Sequence, residues 1–256
     1  MCGFEPHPIR SRVKDRLKNK IMASLEGLQA RQILAKGVVR QTLVDSSVGI
    51  RMKYKGTGTV TSVTVVTAES VANITSDGGT DTYLFSAYTT IGALADAINA
   101  DGIFEARVLD ALRSEGSNDW FLAAAPVVAS VDEDGNTVYD LVADDNGAAT
   151  KAVVLSPKGV GMTPKADGHR VHLQEIYYNV THTAAAGTLK VYQRTKSGAE
   201  SLIFSMLGVN ATNTTVSFAS GQAKITGDED AELIVLVDGT VTNAATNSIR
   251  VSGIRE

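Results

Sequence analysis

Apolar residues at Ile9, Val13, Leu17, Ile21, Leu25 and Leu28 follow a spacing of four, four, four, four and three, which lines one face of an α-helix. Pro8 suits the start of that helix, because the N–H it lacks would be unpaired there in any case. From residue 38 the period shortens to two. The stretch VVRQTLVDSSVGIRMKYKGTGTVTSVTVVT is rich in Val and Thr, whose branched Cβ suits a pleated surface, and predicts two or three strands. A helical period returns at Ile91, Leu94, Ala95 and Ile98. Thr89 or Thr90 is the expected N-cap, and Gly102 the residue that turns the chain past the helix end. Phe104, Ala106 and Val108 then alternate with Glu105 and Arg107 as a strand, Leu109 to Leu112 could begin a second short helix, and DWFLAAAPVV reads as a further strand.

Beyond this unit, VVASVDEDGNTVYDLVADDNGAAT reads as a hairpin turning at Asp134-Gly135-Asn136. Residues 156–168 (SPKGVGMTPKADG) hold two of the five prolines, lack apolar periodicity, and are the expected linker. The remainder yields seven candidate strands: HRVHLQEIYYNVTH, TLKVYQRT, SLIFSML, TTVSFAS, QAKIT, AELIVLVDG and NSIRVSGI. Their spacing fits a β-sandwich or jelly-roll, with AELIVLVDG as a central strand covered on both faces. The expected protein is thus mainly β with a small α+β module. A basic amphipathic helical arm spans 1–40, an α+β domain 41–155, a linker 156–168 and a β-sandwich domain 169–256.

Charge sharpens this division. Residues 1–40 carry nine basic and three acidic groups, and residues 41–256 carry 15 basic and 25 acidic ones, so an arm of +6 precedes a body of −10. Such an arm fits docking on an acidic surface. Its expected docking face comprises Arg10, Arg12, Val13, Lys14, Arg16, Leu17, Lys18, Lys20 and Ile21. Phe4 is the arm's one aromatic residue, which speaks against the interleaved stacking that single-stranded nucleic acid uses. The narrow apolar face without Trp speaks against a membrane surface. The single cysteine, Cys2, excludes a disulfide framework within the chain, and no apolar run is long enough for a membrane span. A soluble protein synthesised in the reducing cytoplasm of a host cell is expected.

The unit YTTIGALADAINADGIFEARVLDALRSEGSNDWFLAAA (88–125) has a short apolar helix ending in Ile98-Asn99, a turn at Gly102 and a strand. With Leu94, these residues resemble the Ile-Asn motif of flagellins and hook-associated proteins. Similar units are familiar from structural proteins of tailed-bacteriophage virions. The chain lacks the long polar terminal helices of flagellins, so the phage resemblance is the better of the two. It implies a virion location, other virion proteins as partners (the major capsid protein or connector proteins), and a homo-oligomer, with a trimer as the expected state.

Catalytic chemistry finds little support. Gly56 and Gly58 are followed by Thr61 where a dinucleotide loop needs its third glycine, and by a strand rather than a helix. Counting an EF-hand loop from Asp132 puts Thr137 at position six and Ala143 at position twelve, where glycine and glutamate are required. On one strand His172 and His182 would share a face about 33 Å apart, with His169 on the opposite face. Asp144-Asp145 and Asp228 to Asp230 lie in turn-like contexts, where carboxyls stay solvated. No GxSxG, P-loop, HExxH or paired CxxC is present. The sequence therefore predicts a non-enzymatic protein without metal or cofactor, a capsid decoration or cement protein that stabilises a shell. A tail, neck or baseplate connector is one alternative. The other is a carbohydrate-binding β-sandwich using Trp120, Tyr177, Tyr178 and Tyr192.

Overall fold

The structure is a computed structural model that describes residues 36–43, 47–66, 69–121, 125–143, 151–163, 168–180, 187–207, 211–217, 225–238 and 247–256. The docking residues expected between Arg10 and Ile21 lie outside these, as do His7, His182, Asp144 and Asp145. The described chain is mainly β, in antiparallel sheets.

The first half is built on two four-stranded sheets. One contains β2 (Val48–Tyr54), β6 (Phe104–Val108), β8 (Ala129–Val131) and β9 (Thr137–Val142), in the order β6-β2-β9-β8. The other contains β3 (Val60–Val66), β4 (Ser70–Thr75), β5 (Gly79–Leu84) and β7 (Ala125–Pro126), in the order β5-β4-β3-β7. Helix α1 (Ile91–Asp101) contributes Ile91, Leu94, Ala95 and Ile98 to the core that both sheets share. Thr90 caps this helix through the N–H of Ala93, and Gly102 turns the chain out at φ 77°. A bulge in β2 sits at Gly49, where a Cβ would lie 2.8 Å from the Phe121 ring.

The Ile-Asn pair has a specific mechanical role. Ile98 is fully buried, while the Asn99 amide donates to the Ala106 carbonyl (2.9 Å) and accepts from the Ala106 N–H (2.8 Å). Asn99 thus pairs with β6 as a neighbouring strand residue would, and fixes the return of the chain after α1. Asn99→Ala is expected to cost about 1 kcal/mol, since both bonds are solvent-accessible. Urea titration checks this; an unchanged midpoint would leave the pair without a structural role.

Two expectations for this region change. Residues 109–112 are not helical; the helical turn is α2 (Ser117–Trp120), anchored by the Ser117 hydroxyl on the Tyr88 carbonyl at 2.6 Å. The strand expected over DWFLAAAPVV is confined, among the described residues, to β7. Trp120 and Phe121 are both buried in succession, which strand alternation does not allow and a helical exit does.

The second half is a β-sandwich. One sheet has the order β1-β17-β11-β14, from β1 (Lys36–Leu43), β17 (Ser248–Arg255), β11 (Val171–Val180) and β14 (Ala211–Ser217), with β15 (Ile225–Thr226) also paired to β11. The other has the order β10-β16-β12-β13, from β10 (Lys151–Leu155), β16 (Glu232–Asp238), β12 (Thr188–Arg194) and β13 (Glu200–Leu207). Both ends of the arrangement depart from the expected segment limits. Strand β1 (Lys36–Leu43) overlaps the last five residues of the expected arm and lies beside β17. Lys151–Leu155, counted with the α+β part, pairs with β16. A truncation meant to remove the arm alone must therefore stop at residue 35.

Strand β16 is covered on both faces. Leu233, Val235 and Val237 enter the sandwich core, while Ile234 and Leu236 join Ala152, Val154, Val48, Leu109 and Leu112 in a separate apolar layer against the first half. Five consecutive buried apolar residues are what this layered arrangement requires of the sequence.

Residues 156–163 are packed rather than spanning open solvent. Arg51 donates to the Val160 carbonyl (2.9 Å), and Arg107 to those of Gly159 (2.9 Å) and Gly161 (2.6 Å). The acidic turn between β8 and β9 holds the amides of the same strap. Asp132 accepts from Met162 N–H (2.7 Å), Glu133 from Val160 (2.9 Å) and Gly161 (3.2 Å), and Asp134 from Thr163 (3.3 Å). Burial opposes ionisation of Asp132, but the N–H groups of Met162, Asn136 and Asp134 and the Asn136 side-chain amide prevail and hold its pKa down to about 2. The turn whose spacing fails the EF-hand pattern spends its carboxylates on backbone N–H groups.

Candidate functional site

Charged side chains concentrate where β6 of the first half faces β12, β13 and β16 of the second. Glu232, the first residue of β16, stands between two arginines. Arg194 approaches it at 2.6 and 2.8 Å, and Arg107 at 2.6 Å. Burial alone would raise the pKa of Glu232, yet the two guanidiniums hold it below the ordinary carboxylate range. Arg194 is only 5% exposed and also donates to the carbonyls of Val108, Leu109 and Ala111, at 2.9, 3.1 and 3.0 Å. Its fork therefore ties the last residue of β12 to the chain leaving β6. Glu200, at the start of β13, accepts from the Arg113 N–H at 2.9 Å and lies 3.5 Å from Arg194.

Arg107, Arg194 and Glu232 border a cleft of about 280 Å³. Arg107, Arg113, Lys158, Arg194 and Lys196 line it, together with two carboxylates, Asp230 and Glu232, and with Thr195 and Gly198. Lys158 and Lys196 approach the same Asp230 oxygen at 3.8 and 4.0 Å, and Arg113 reaches Asp96 at 2.7 Å. Asp230 takes a left-handed φ of 61° in the turn before β16 and accepts from the Gly168 N–H at 2.8 Å. Its side chain is 9% exposed, unlike the solvated turn carboxylate expected from the sequence.

The site residues considered from sequence are dispersed. His172 Nδ1 is 2.9 Å from the Thr226 hydroxyl on β15, and His169 gives its backbone carbonyl to Asp230 N–H at 2.7 Å. Asp228 accepts from the Gln193 amide at 2.6 Å. Trp120 and Tyr178 are buried in the two cores, and Tyr177 and Tyr192 are half-buried, so the four aromatics do not form one exposed platform. Among the described residues no cluster of His, Cys, Asp or Glu could hold a metal ion, and no helix is long and apolar enough to cross a membrane. Sequence reading missed Arg107, Arg194 and Glu232. The available signal was Glu232 at the head of the apolar run of β16, ELIVLVD.

No family model and no curated protein matches the chain. Among solved structures it is similar to isomalto-dextranase of Arthrobacter globiformis T6 in complex with panose. That match has 11% identity over 87% of this chain and 34% of that one, with a TM-score of 0.21. The chain thus spans about a third of that protein's length. It is also similar to a carbohydrate-binding module from the β-sandwich superfamily, at 9% identity over 86% of this chain and 96% of that one, with a TM-score of 0.20. Scores this low do not define a shared fold.

Proposed function

We propose that this chain is a non-enzymatic structural component that assembles through the outer edge of its β-sandwich, as a decoration or cement subunit of a tailed-phage particle. The observation that carries the assembly reading is β13. Among the described residues it ends its sheet, and Ser201 to Leu207 contain no charge and no proline. Leu202 and Ile203 are 49% and 40% exposed in succession, because a bulge opposite Val191 and Tyr192 breaks the alternation. Edge strands of soluble proteins are normally protected by charge, proline or a covering segment, since their unpaired N–H and C=O groups recruit another strand.

The occupant that fits is a second copy of β13. Antiparallel self-pairing places this uncharged run against itself, so no like charges meet, and the contact is closed by a two-fold axis. The assembly is therefore even-numbered; the trimer expected from the phage resemblance would need a head-to-tail contact instead. The particle setting is supported by the unit at 88–125 and by the basic arm of the sequence. Most charged clusters of the body serve internal ties, as expected of a subunit that acts by adding contact area.

Light scattering on the full chain tests the assembly. The expected result is a dimer or larger even-numbered species that persists in high salt, and a monomer of unchanged urea midpoint for Leu202→Lys/Ile203→Lys. A wild-type chain that stays monomeric from micromolar to millimolar concentration would overturn the reading.

A further inference from the structure

The inner face of the sheet β5-β4-β3-β7 holds polar groups that the core leaves unanswered. Asn73 on β4 is fully buried, and neither its amide oxygen nor its amide nitrogen has a hydrogen-bond partner among the described residues. Directly opposite in register on β5 stands Asp81, whose Oδ2 is buried and equally without a partner among them. The neighbouring register pair, Val71 and Tyr83, enters the core two residues away on each strand, so Asn73 and Asp81 point to the same side. Residues opposite each other in an antiparallel pair have Cβ atoms about 4.5–5.5 Å apart, which brings the amide and the carboxylate together. Asp101, the last residue of α1, lies beside this row. Burial first, and then the Asp101 and Asp81 carboxylates, push the Tyr83 phenol above its ordinary pKa. At the other end the Thr75 hydroxyl is taken by the Gly78 N–H at 2.9 Å. None of the ion pairs among the described residues involves Asp81. Buried polar groups of this kind are normally matched by protein, water or an ion.

We propose that Asn73 and Asp81 hold a calcium ion, with Asp81 Oδ2 and the Asn73 amide oxygen as ligands and Asp101 and the Tyr83 hydroxyl at its rim. Oxygen acceptors dominate the row, and a cation answers them where a second carboxylate or carbonyl cannot. The acidic residues are too few for an all-carboxylate cluster, so neutral oxygens complete the set. Calcium accepts such mixed oxygen donors in irregular geometry, whereas magnesium holds to a strict octahedron and zinc favours nitrogen and sulfur. Calcium also keeps water where protein ligands are few, and a bound water accepts from the Asn73 NH2 group. The site is separate from the turn at Asp132 and independent of β13 and of assembly.

Thermal unfolding of the full chain tests this, after removal of divalent ions with EDTA and dialysis, in calcium or magnesium chloride at constant ionic strength. With a dissociation constant of about 10⁻⁴–10⁻³ M, usual for sites with few charged ligands, about 10 mM calcium should raise the Tm by about 3 °C or more. Magnesium should raise it less. Asp81→Asn is expected to abolish the calcium response. Asn73→Asp, which adds a carboxylate to the pair, is expected to enlarge it and to lower the Tm in EDTA. A calcium shift no larger than that of magnesium would overturn the proposal and leave a buried water as the partner of Asn73. An undiminished calcium shift in a folded Asp81→Asn, or an unenlarged one in a folded Asn73→Asp, would do the same.

Discussion

Asp110→Ala is expected to lower the unfolding free energy by about 3–5 kcal/mol, the cost of breaking a buried ion pair from one side. Asp110 is fully buried and accepts from the N–H groups of Val48 (3.1 Å) and Val154 (2.8 Å). Arg40 grips it with both terminal nitrogens, one of them at 2.7 Å from Oδ2. One carboxylate thus joins β1, the entry to β2, the exit of β6 and the middle of β10. Alanine strands two buried N–H groups and a guanidinium that is 18% exposed. Asp110→Asn keeps an acceptor oxygen and should lose less. Urea titrations at constant m-value measure both, and a loss below about 1 kcal/mol for alanine would remove Asp110 as the tie between the halves.

Arg194→Met is expected to be comparably costly, again about 3–5 kcal/mol. Methionine fills much of the volume but leaves the carbonyls of Val108, Leu109 and Ala111 without their donor, and Glu232 with Arg107 alone. A second readout separates this from simple loss of packing. The folded-state pKa of Glu232 is depressed, so its stabilisation is present above the unfolded value of about 4.3 and is lost as pH falls through the folded value. Without Arg194 that depression shrinks, and stability should fall less steeply between about pH 5 and the acid limit than in the wild type. A variant with the wild-type acid slope would show that Arg194 does not set the charge state of Glu232.

Much of the architecture was legible because period and turn chemistry agree locally. Helix α1 announces both of its ends, through Thr90 and Gly102. The unbroken run of β16 announces that both its faces are covered, and all seven expected strands of the C-terminal region are represented by β11 to β17. Segment limits were harder. Nothing local in KGVVRQTL or KAVVL says that its ladder partner lies near or at the far end of the chain, because pairing at such separations is decided by the assembled core. The strap at 156–163 reads as a linker for a related reason. It is held by carboxylates and guanidiniums from a distant hairpin and sheet, and proline and glycine report only its backbone shape. The cleft was illegible for the same cause: Arg107, Lys158, Arg194 and Asp230 are separated in sequence and meet only in the fold.

Self-assembly through β13 is tested most directly by amide hydrogen exchange across Glu200–Leu207 as a function of protein concentration. With β13 as the contact between copies, the outward-facing amides of this strand become protected as concentration rises. They lose that protection in Leu202→Lys/Ile203→Lys, while β12 exchanges slowly throughout. Outward amides that exchange fast at every concentration, beside a protected β12, would contradict assembly through this edge.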